Sequence, residues 1–158
     1  MPRSVTAGPV ESAREAARRS VEALQEAAEP LGVRVAIEVI TNELSKPGPL
    51  VHFVENVVDA SHVGICLDIG HAHLLGDVAD AIETVSEHLL AVHVHDNQRR
   101  ADEHLVPFKG SIDWAGALTA LQKVGYDGTM TLELAPQGST RETLAAASDA
   151  RRRLERYL

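Results

Sequence analysis

Four side chains that can bind a metal ion or move a proton occur at comparable places along the sequence. They are Glu38, Asp68, His93 and Glu133. Each lies at or near the end of a short apolar segment and falls on the face opposite the large aliphatic residues. Because the carboxyl ends of parallel strands meet at one edge, sites in α/β proteins are built there. The eight histidines all lie between residues 52 and 104, which is a first indication of metal chemistry.

The clearest of these segments covers residues 63–73, Val-Gly-Ile-Cys-Leu-Asp-Ile-Gly-His-Ala-His. Strand side chains alternate between two faces, so its large aliphatic residues share one face and Asp68 shares the other with small residues. A strand of this kind suits the wall of a barrel that has helices packed outside it. We expect a short buried strand that ends on Asp68 and a break in the chain at Gly70. Cys66 is predicted to be an inward-facing filler and not a nucleophile.

Helical and strand patterns alternate along the chain. The spacing of apolar residues predicts helices over 9–29, 50–59, 78–86, 113–124 and 139–158, and strands over 33–39, 63–67, 90–95 and 129–134. The last helix begins with a capping box formed by Ser139 and Glu142. Alternation of this kind implies parallel strands joined by right-handed crossovers. The predicted fold class is α/β, with four βα units and an extra N-terminal helix in a single domain over residues 1–158.

Charge and cysteine content limit the kinds of partner and compartment. Asp and Glu outnumber Lys and Arg by 23 to 15, which gives a net charge of -8. A protein that binds nucleic acid through its phosphates needs a basic stripe, so this balance disfavours nucleic acid as a partner. The single cysteine cannot form an internal disulfide, and the sequence contains no apolar run of about 18 residues. Residues 1–8 lack the apolar core of a signal peptide. We expect a cytoplasmic protein without a membrane partner.

Six short motifs follow one another in the order of a known family. They are Glu38 at a strand end, Asp-Ile-Gly-His at 68–71, Val-His-Val-His-Asp-Asn at 92–97, Asp102-Glu-His104, Lys-Gly-Ser-Ile-Asp-Trp at 109–114, and Gly-Tyr-Asp-Gly followed by Leu-Glu-Leu through residue 134. Together they resemble the xylose isomerase-like TIM-barrel superfamily, which includes sugar-phosphate isomerases, ketose 3-epimerases, hydroxypyruvate isomerase and apurinic endonuclease. The resemblance covers roughly residues 30–135 and implies the C-terminal half of a TIM (β/α)8 barrel, its strands five to eight.

The resemblance also implies roles for individual residues. The four metal ligands would be Glu38, Asp68, His93 and Glu133, where His93 is selected by placing Asp96 on the acidic position of the seventh-strand motif. A second metal would be bound by His71, Asp102 and His104, the last two of which resemble the Asp-x-His of the endonuclease branch. Arg99 matches a substrate-binding arginine of the ketose epimerases, and with His71 it would position substrate oxygens. One departure is Phe108, which stands where the family has the first glycine of Gly-x-Gly.

A site of two Glu, one Asp and one His is rich in oxygen and suits Mn²⁺ or Mg²⁺, with Zn²⁺ or Co²⁺ as alternatives because of the imidazole. The family implies isomerisation or epimerisation of a sugar or sugar phosphate beside a carbonyl. A metal on the substrate oxygens would acidify the C–H between them and stabilise the enediolate. Glu38 and Glu133 would act as catalytic base and acid on opposite sides of the sugar.

Other interpretations of the same residues remain open. Asp102 and His104 favour an apurinic endonuclease-like metal phosphodiesterase, which the acidic balance disfavours. The chain length favours a truncated, non-catalytic metal-binding remnant. Any single acid at a strand end can instead cap the next helix. His95 is expected to support a ligand without binding the metal itself. The remaining histidines are expected at the surface or in loops: His52, His62, His73 and His88.

The first four strands of the family barrel have no counterpart in the sequence. Strands 33–39 and 129–134 would then be open edges, and exposed apolar edges invite pairing. Small residues on the inner face would be exposed to solvent: Ala36, Gly64, Cys66, Ala91 and Thr131. We expect a homodimer that closes an eight-stranded barrel edge to edge, or a complementary half-barrel chain as the partner. Two metal sites in one homodimeric cavity would crowd many carboxylates together, so a heteromeric or degraded form competes with the homodimer.

Overall fold

Four short strands form one parallel sheet in the order in which they occur in the chain. The computed structural model describes residues 8–58, 61–136 and 138–157. The strands are β1 (Val35–Glu38), β2 (Val63–Asp68), β3 (Leu89–Val94) and β4 (Met130–Leu132). Because each strand lies beside the next one along the chain, every connection is a crossover of the kind that builds half of a (β/α)8 wall. The predicted α/β class with four parallel βα units is confirmed.

Of the α-helices in the described part of the chain, the first precedes the sheet, the next four connect its strands and the last follows it. They are α1 (Pro9–Ala28), α2 (Pro47–Asn56), α3 (Ile69–Leu75), α4 (Val78–Val85), α5 (Trp114–Lys123) and α6 (Thr140–Leu154). At the start of α6, the Ser139 hydroxyl accepts the N–H of Glu142 and the Glu142 carboxylate accepts the N–H of Ser139. The predicted capping box is therefore confirmed. Among the described residues, no helix is long and apolar enough to cross a lipid bilayer.

The hydrophobic core lies between the helices and the outer face of the two central strands. Ile65, Leu67 and Val92 are fully buried there. They pack in one cluster with side chains of the surrounding helices, among them Leu50, Val54, Ile82, Leu118 and Leu121. Each such side chain contributes roughly 1.5–3 kcal/mol by leaving water. This packing holds β2 and β3 rigidly, so the residues at their carboxyl ends have fixed positions.

Helix α3 was not predicted, because Gly70 was interpreted as a break in the chain. The side chain of Asp68, the last residue of β2, accepts the backbone N–H of His71 at 2.7 Å. This hydrogen bond satisfies one of the free N–H groups that begin every helix. Asp68 thus ends a strand and starts a helix at once, and Gly70 lies inside that helix. The tight turn brings His71 and His73 under the same edge of the sheet.

The inner face of the sheet is more closed than the sequence suggested. The register between β2 and β3 slips by one residue after Ile65, so Leu90 is an extra residue in β3. Its side chain lies over Gly64, where an added Cβ would collide with it. Leu90 was expected on the outer face, and both Gly64 and Cys66 were expected to be exposed. The bulge reverses these predictions, because Leu90 covers the inner face and both small residues are buried.

Candidate metal centre

The carboxyl edge of the sheet carries a group of side chains that we call the first cluster. It consists of Glu38, Asp68, His93 and Glu133, one from each βα unit, and their ligand atoms all lie within 4.8 Å of one another. The Nδ1 of His93 lies 3.0 Å from Glu38 Oε1 and 3.6 Å from Glu133 Oε2. The structure therefore brings together the four residues predicted as metal ligands, close enough for one ion to contact all of them.

Asp68 provides a direct test of whether the first cluster suits a cation. Its Oδ1 accepts the N–H of His71, whereas its Oδ2 is buried and has no hydrogen-bond partner in the part of the chain that the structure describes. Burial opposes ionisation, but the contact with His95 and the N–H of His71 together lower the pKa of the Asp68 carboxyl below its ordinary value. A buried anionic oxygen without a partner is costly. A cation among the first cluster would supply that partner, so these residues fit a metal ion.

A second cluster adjoins the first and is richer in nitrogen. It contains His71, His95, Asp102 and His104, whose ligand atoms also lie within 4.8 Å of one another. The carboxylate of Asp102 is central: His71 Nε2 lies 3.1 Å from its Oδ2, and His104 Nε2 lies 3.4 Å from its Oδ1. Three members of this second cluster were predicted to converge. The fourth, His95, had been expected to support a ligand of the first cluster.

Carbonyl contacts assign the tautomers of two histidines in the second cluster. The Nδ1 of His104 lies 3.1 Å from the carbonyl oxygen of Glu133. Because a carbonyl only accepts, that Nδ1 carries a hydrogen, and Nε2 is the ring nitrogen left to bind a metal. The Nδ1 of His95 faces the carbonyl of Asp96 at 3.4 Å in the same way. Both Nε2 atoms point toward carboxylate oxygens, an arrangement that needs a proton or a cation between the partners.

His95 joins the two clusters. Its Nε2 lies 2.9 Å from Asp68 Oδ1 and 3.6 Å from Asp102 Oδ1, but neither approach has the alignment of a hydrogen bond. Burial alone would lower the pKa of His95, yet the Asp68 carboxylate raises it above the ordinary value. His95 therefore lies between one carboxylate of the first cluster and one of the second. The sequence contains a signal for the position of His95, because His93 and His95 are two residues apart and therefore lie on the same face of the strand.

His71 has one ring nitrogen toward each cluster. Its Nδ1 is buried and has no hydrogen-bond partner within residues 8–58, 61–136 and 138–157. It lies 3.5 Å from Asp68 Oδ1 and 4.0 Å from Glu38 Oε1. Its Nε2 contacts Asp102. Arg99, the other residue predicted to bind substrate, is placed differently: its guanidinium donates to the carbonyl of Gly76 at the end of α3. The structure therefore brings His71 into the centre but does not bring Arg99 to it.

His73 is the histidine whose environment the sequence misjudged most. It was expected at the surface, but it is buried and its Nε2 lies 3.0 Å from the hydroxyl of Ser111. Burial lowers the pKa of His73, with the nearby Arg99 acting in the same direction. The error follows from the missed helix α3, which turns this side chain inward. His52 is exposed, as predicted.

With the geometry described, the chain can be compared with known proteins. A family model described as xylose isomerase-like TIM barrel matches residues 1–156. The chain belongs to this family. Its four parallel βα units and the order of its motifs are those that the resemblance implied.

Two curated relatives in this comparison have names that denote isomerase or epimerase activity. The D-psicose 3-epimerase of Enterocloster bolteae is 31% identical over 130 residues, which cover 77% of this chain and 40% of the relative. The inosose isomerase of Bacillus subtilis is 28% identical over 120 residues, which cover 70% of this chain and 43% of the relative. The chain thus spans about two fifths of the length of these relatives.

A solved structure of similar fold holds a metal ion. The crystal structure of IOLI protein with a zinc atom aligns with a TM-score of 0.79 over 98% of this chain and 60% of that one. At 21% identity, the likeness shows a shared fold. The zinc belongs to that protein.

Phe108 keeps a glycine-like backbone at the position where the xylose isomerase-like family has glycine. Its φ is +71°, in the left-handed region that side chains disfavour by about 1–2 kcal/mol. The ring lies near Trp114, and the guanidinium of Arg153 stacks on it at 3.8 Å. These contacts tie the loop after β3 to helix α6 and offset the strain.

Proposed function

We propose that this chain supplies the metal site of a divalent-metal-dependent sugar or sugar-phosphate isomerase or epimerase. One observation carries the proposal: four ligand atoms converge at the carboxyl edge of the sheet, around a buried carboxylate oxygen of Asp68 that has no hydrogen-bond partner among the described residues. The names of the two curated relatives support this reaction class.

The donor atoms suggest which ions each cluster would bind. The first cluster offers three carboxylates and one imidazole, which suits Mn²⁺ or Mg²⁺. The second cluster offers three imidazoles and one carboxylate, which suits Zn²⁺ or Co²⁺. We propose a hard divalent ion at the first cluster and a nitrogen-preferring ion at the second, with His71 lying between them.

The residues of the first cluster are placed to move a proton beside a carbonyl. Lewis-acid polarisation of the substrate oxygens is the chemistry that a bound ion would supply. Glu38 ends the outer strand β1 and Glu133 follows the outer strand β4. Both carboxylates lie near His93 Nδ1 and remain partly open to solvent, at 34% and 44% exposure. One carboxylate would take the proton from the substrate carbon and the other would return it. His71 would orient a substrate oxygen at the junction.

Metal titration and isotope exchange test this proposal together. We expect the full chain to bind Mn²⁺ in calorimetry, and Asp68→Asn to weaken that binding by at least about tenfold. Glu43→Gln is the matched control, because Glu43 is an exposed carboxylate that pairs with Lys46 and lies outside both clusters. Deuterium uptake from D₂O into a panel of ketoses, followed by NMR, would detect the proton transfer. Absence of Mn²⁺ and Zn²⁺ binding would refute the proposal.

A metal phosphodiesterase is the second candidate, favoured by the second cluster around Asp102. Cleavage of an oligonucleotide with an abasic site in the presence of Zn²⁺, without deuterium uptake into ketoses, would support it. The net charge of -8 opposes it. Metal binding without either activity would support the third interpretation, a non-catalytic metal-binding chain.

We propose that another half-barrel covers the inner face, whether it is a second copy or a complementary chain, with a small sugar bound between the two halves. Ala36 and Thr131 are exposed, and strand alternation places both on that face. The apolar side chains of Val33, before β1, and Leu144, in α6, are exposed as well. A cavity of about 390 Å³ lies on the other side of β4, against α5 and α6. Helix α1 precedes β1 and α6 follows β4, so pairing two copies would bring both helices to one seam. This favours the complementary chain.

Light scattering coupled to size-exclusion chromatography distinguishes the three outcomes for assembly. A dimer mass would support the second copy, and a monomer that gains mass only with a partner would support the complementary chain. A stable monodisperse monomer that binds metal and turns over substrate would refute both.

A further inference from the structure

The segment between β3 and α5 is too long for a simple connector, and it supplies two members of the second cluster, Asp102 and His104. Loops of this length without regular structure need their own internal organisation to hold one conformation. In this loop the organising group is a carboxylate that belongs to neither cluster.

Asp96 is fully buried, and its side chain gathers four N–H donors from the loop and the start of α5. The Oδ1 accepts the N–H of Asn97 at 2.9 Å and that of Ile112 at 3.3 Å. The Oδ2 accepts the N–H of Phe108 and the indole N–H of Trp114, both at 2.9 Å. Hydrogen bonds to a carboxylate are stronger than those between neutral groups. Asp96 therefore fixes the path of the loop at its start, middle and end.

The backbone of Asp96 also restrains the segment that contains His104. It makes both hydrogen bonds of a bridge with Leu105, at 2.7 and 2.8 Å. The neighbouring His104 has a φ of +46°, and its carbonyl accepts the N–H of Ala135 at 2.9 Å. With the Nδ1 contact to the Glu133 carbonyl, these bonds hold the imidazole so that Nε2 faces Asp102. The position of His104 thus depends on Asp96 on one side and on the segment after β4 on the other.

We propose that Asp96 is a positioning residue for the second cluster, which holds His104 in the tautomer and orientation that bind a metal ion. The inference rests on the proposed function only in taking the second cluster to be a metal site. Gly110 supports it independently, because an added Cβ there would collide with the Asp96 carboxylate.

Asp96→Asn is the test, since it replaces one acceptor oxygen with an amide that must face N–H donors. In the metal-free full chain at pH 8, long-range ¹⁵N–¹H NMR should show His104 protonated at Nδ1. The variant should lose that preference and show the Nε2-protonated form. In Zn²⁺ calorimetry, the affinity of the second cluster should fall by about 10–100-fold, as for other partners of metal ligands. Binding at the first cluster should be unchanged.

Three further variants separate positioning from general destabilisation. Leu118→Ala opens a cavity in the core away from the loop, and it should leave the His104 tautomer unchanged. Gly110→Ala should reproduce the Asp96→Asn result through an independent collision. Trp114→Phe removes one hydrogen-bond donor from Asp96, and it serves as the test if Asp96→Asn does not fold. A partial shift of the His104 tautomer would support the proposal. An unchanged tautomer would overturn it.

The outcomes also distinguish this inference from the proposed function. If the unmodified chain binds no second ion, the second metal site is refuted, but the His104 tautomer still decides the role of Asp96. If folded Asp96→Asn keeps the Nδ1-protonated His104 and the Zn²⁺ affinity of the unmodified chain, the inference is wrong. It is also wrong if Leu118→Ala shifts the tautomer as much as Asp96→Asn does.

Discussion

The substitution Gly70→Ala, close to both clusters, should change the free energy of unfolding through two opposing effects. Gly70 lies inside α3, where alanine is favoured over glycine by about 1 kcal/mol. An added Cβ would, however, collide with the ring of His95, which is fully buried. Overpacking costs about 1–3 kcal/mol, and a collision with a fully buried ring falls in the upper part of that range, about 2–3 kcal/mol. The collision should win, so we expect a net loss of about 1–2 kcal/mol in the free energy of unfolding.

A double-mutant cycle with His95→Ala isolates the cause. When the ring is removed, the added methyl group has room, and Gly70→Ala should then stabilise the chain by up to about 1 kcal/mol. The coupling between the two positions is therefore about 2–3 kcal/mol. Urea unfolding of the four proteins, followed by circular dichroism in the presence of a chelator, gives each value. For a chain of this size, the single variant should melt roughly 2–8 °C lower.

Two results would refute this reasoning. If Gly70→Ala raises the stability of the unmodified chain, the His95 ring does not lie against α3 as described. If the substitution costs the same with and without His95, the loss has another cause, and the coupling between α3 and the bridging histidine is absent.

Three further predictions concern the clusters. The Cys66 thiol should be nearly inert to alkylation at pH 8 in the folded chain, because burial and the charges of Glu38, Asp68 and Glu133 raise its pKa to about 12; a rate close to that of a free thiol would contradict this. The free energy of unfolding of the metal-free chain should fall as the pH rises above about 6.5. The pKa of His95 is raised in the folded state, so the folded chain binds a proton more tightly than the unfolded chain, and this contribution to stability is lost at higher pH. His95→Gln should flatten that pH dependence. Zn²⁺ at about 100 times its Kd should add about 2.7 kcal/mol to that free energy, measured by urea unfolding, and a chain equally stable with and without Zn²⁺ would contradict metal binding.

The sequence was sufficient for the first cluster because its placement follows from local rules. Side chains alternate along a strand, and parallel strands end at a common edge, so Glu38, Asp68, His93 and Glu133 could be assigned to one side and one end. The capping box of α6 was equally local, since it depends on two residues three positions apart.

Helix α3 shows where local rules fail. Its glycine indicates a break by propensity, but the Asp68 side chain and the fit of the His95 ring against Gly70 favour a helix there. The Asp68 cap is local, but the His95 ring belongs to the residue that follows the next strand along the chain, so its fit is not visible in a window of sequence. The bulge at Leu90 is of the same kind, since the slip between β2 and β3 is set by packing across the sheet.

The sequence by itself determined the parallel βα order and the set of side chains at the carboxyl edge, because both depend on the periodicity of the chain. The tertiary structure alone decided that His95 lies between Asp68 and Asp102, that His73 is buried, and that Arg99 is tied to Gly76. These placements depend on strand register and on the path of a long loop. Both are fixed by contacts between residues far apart in the sequence, such as the hydrogen bonds that converge on Asp96.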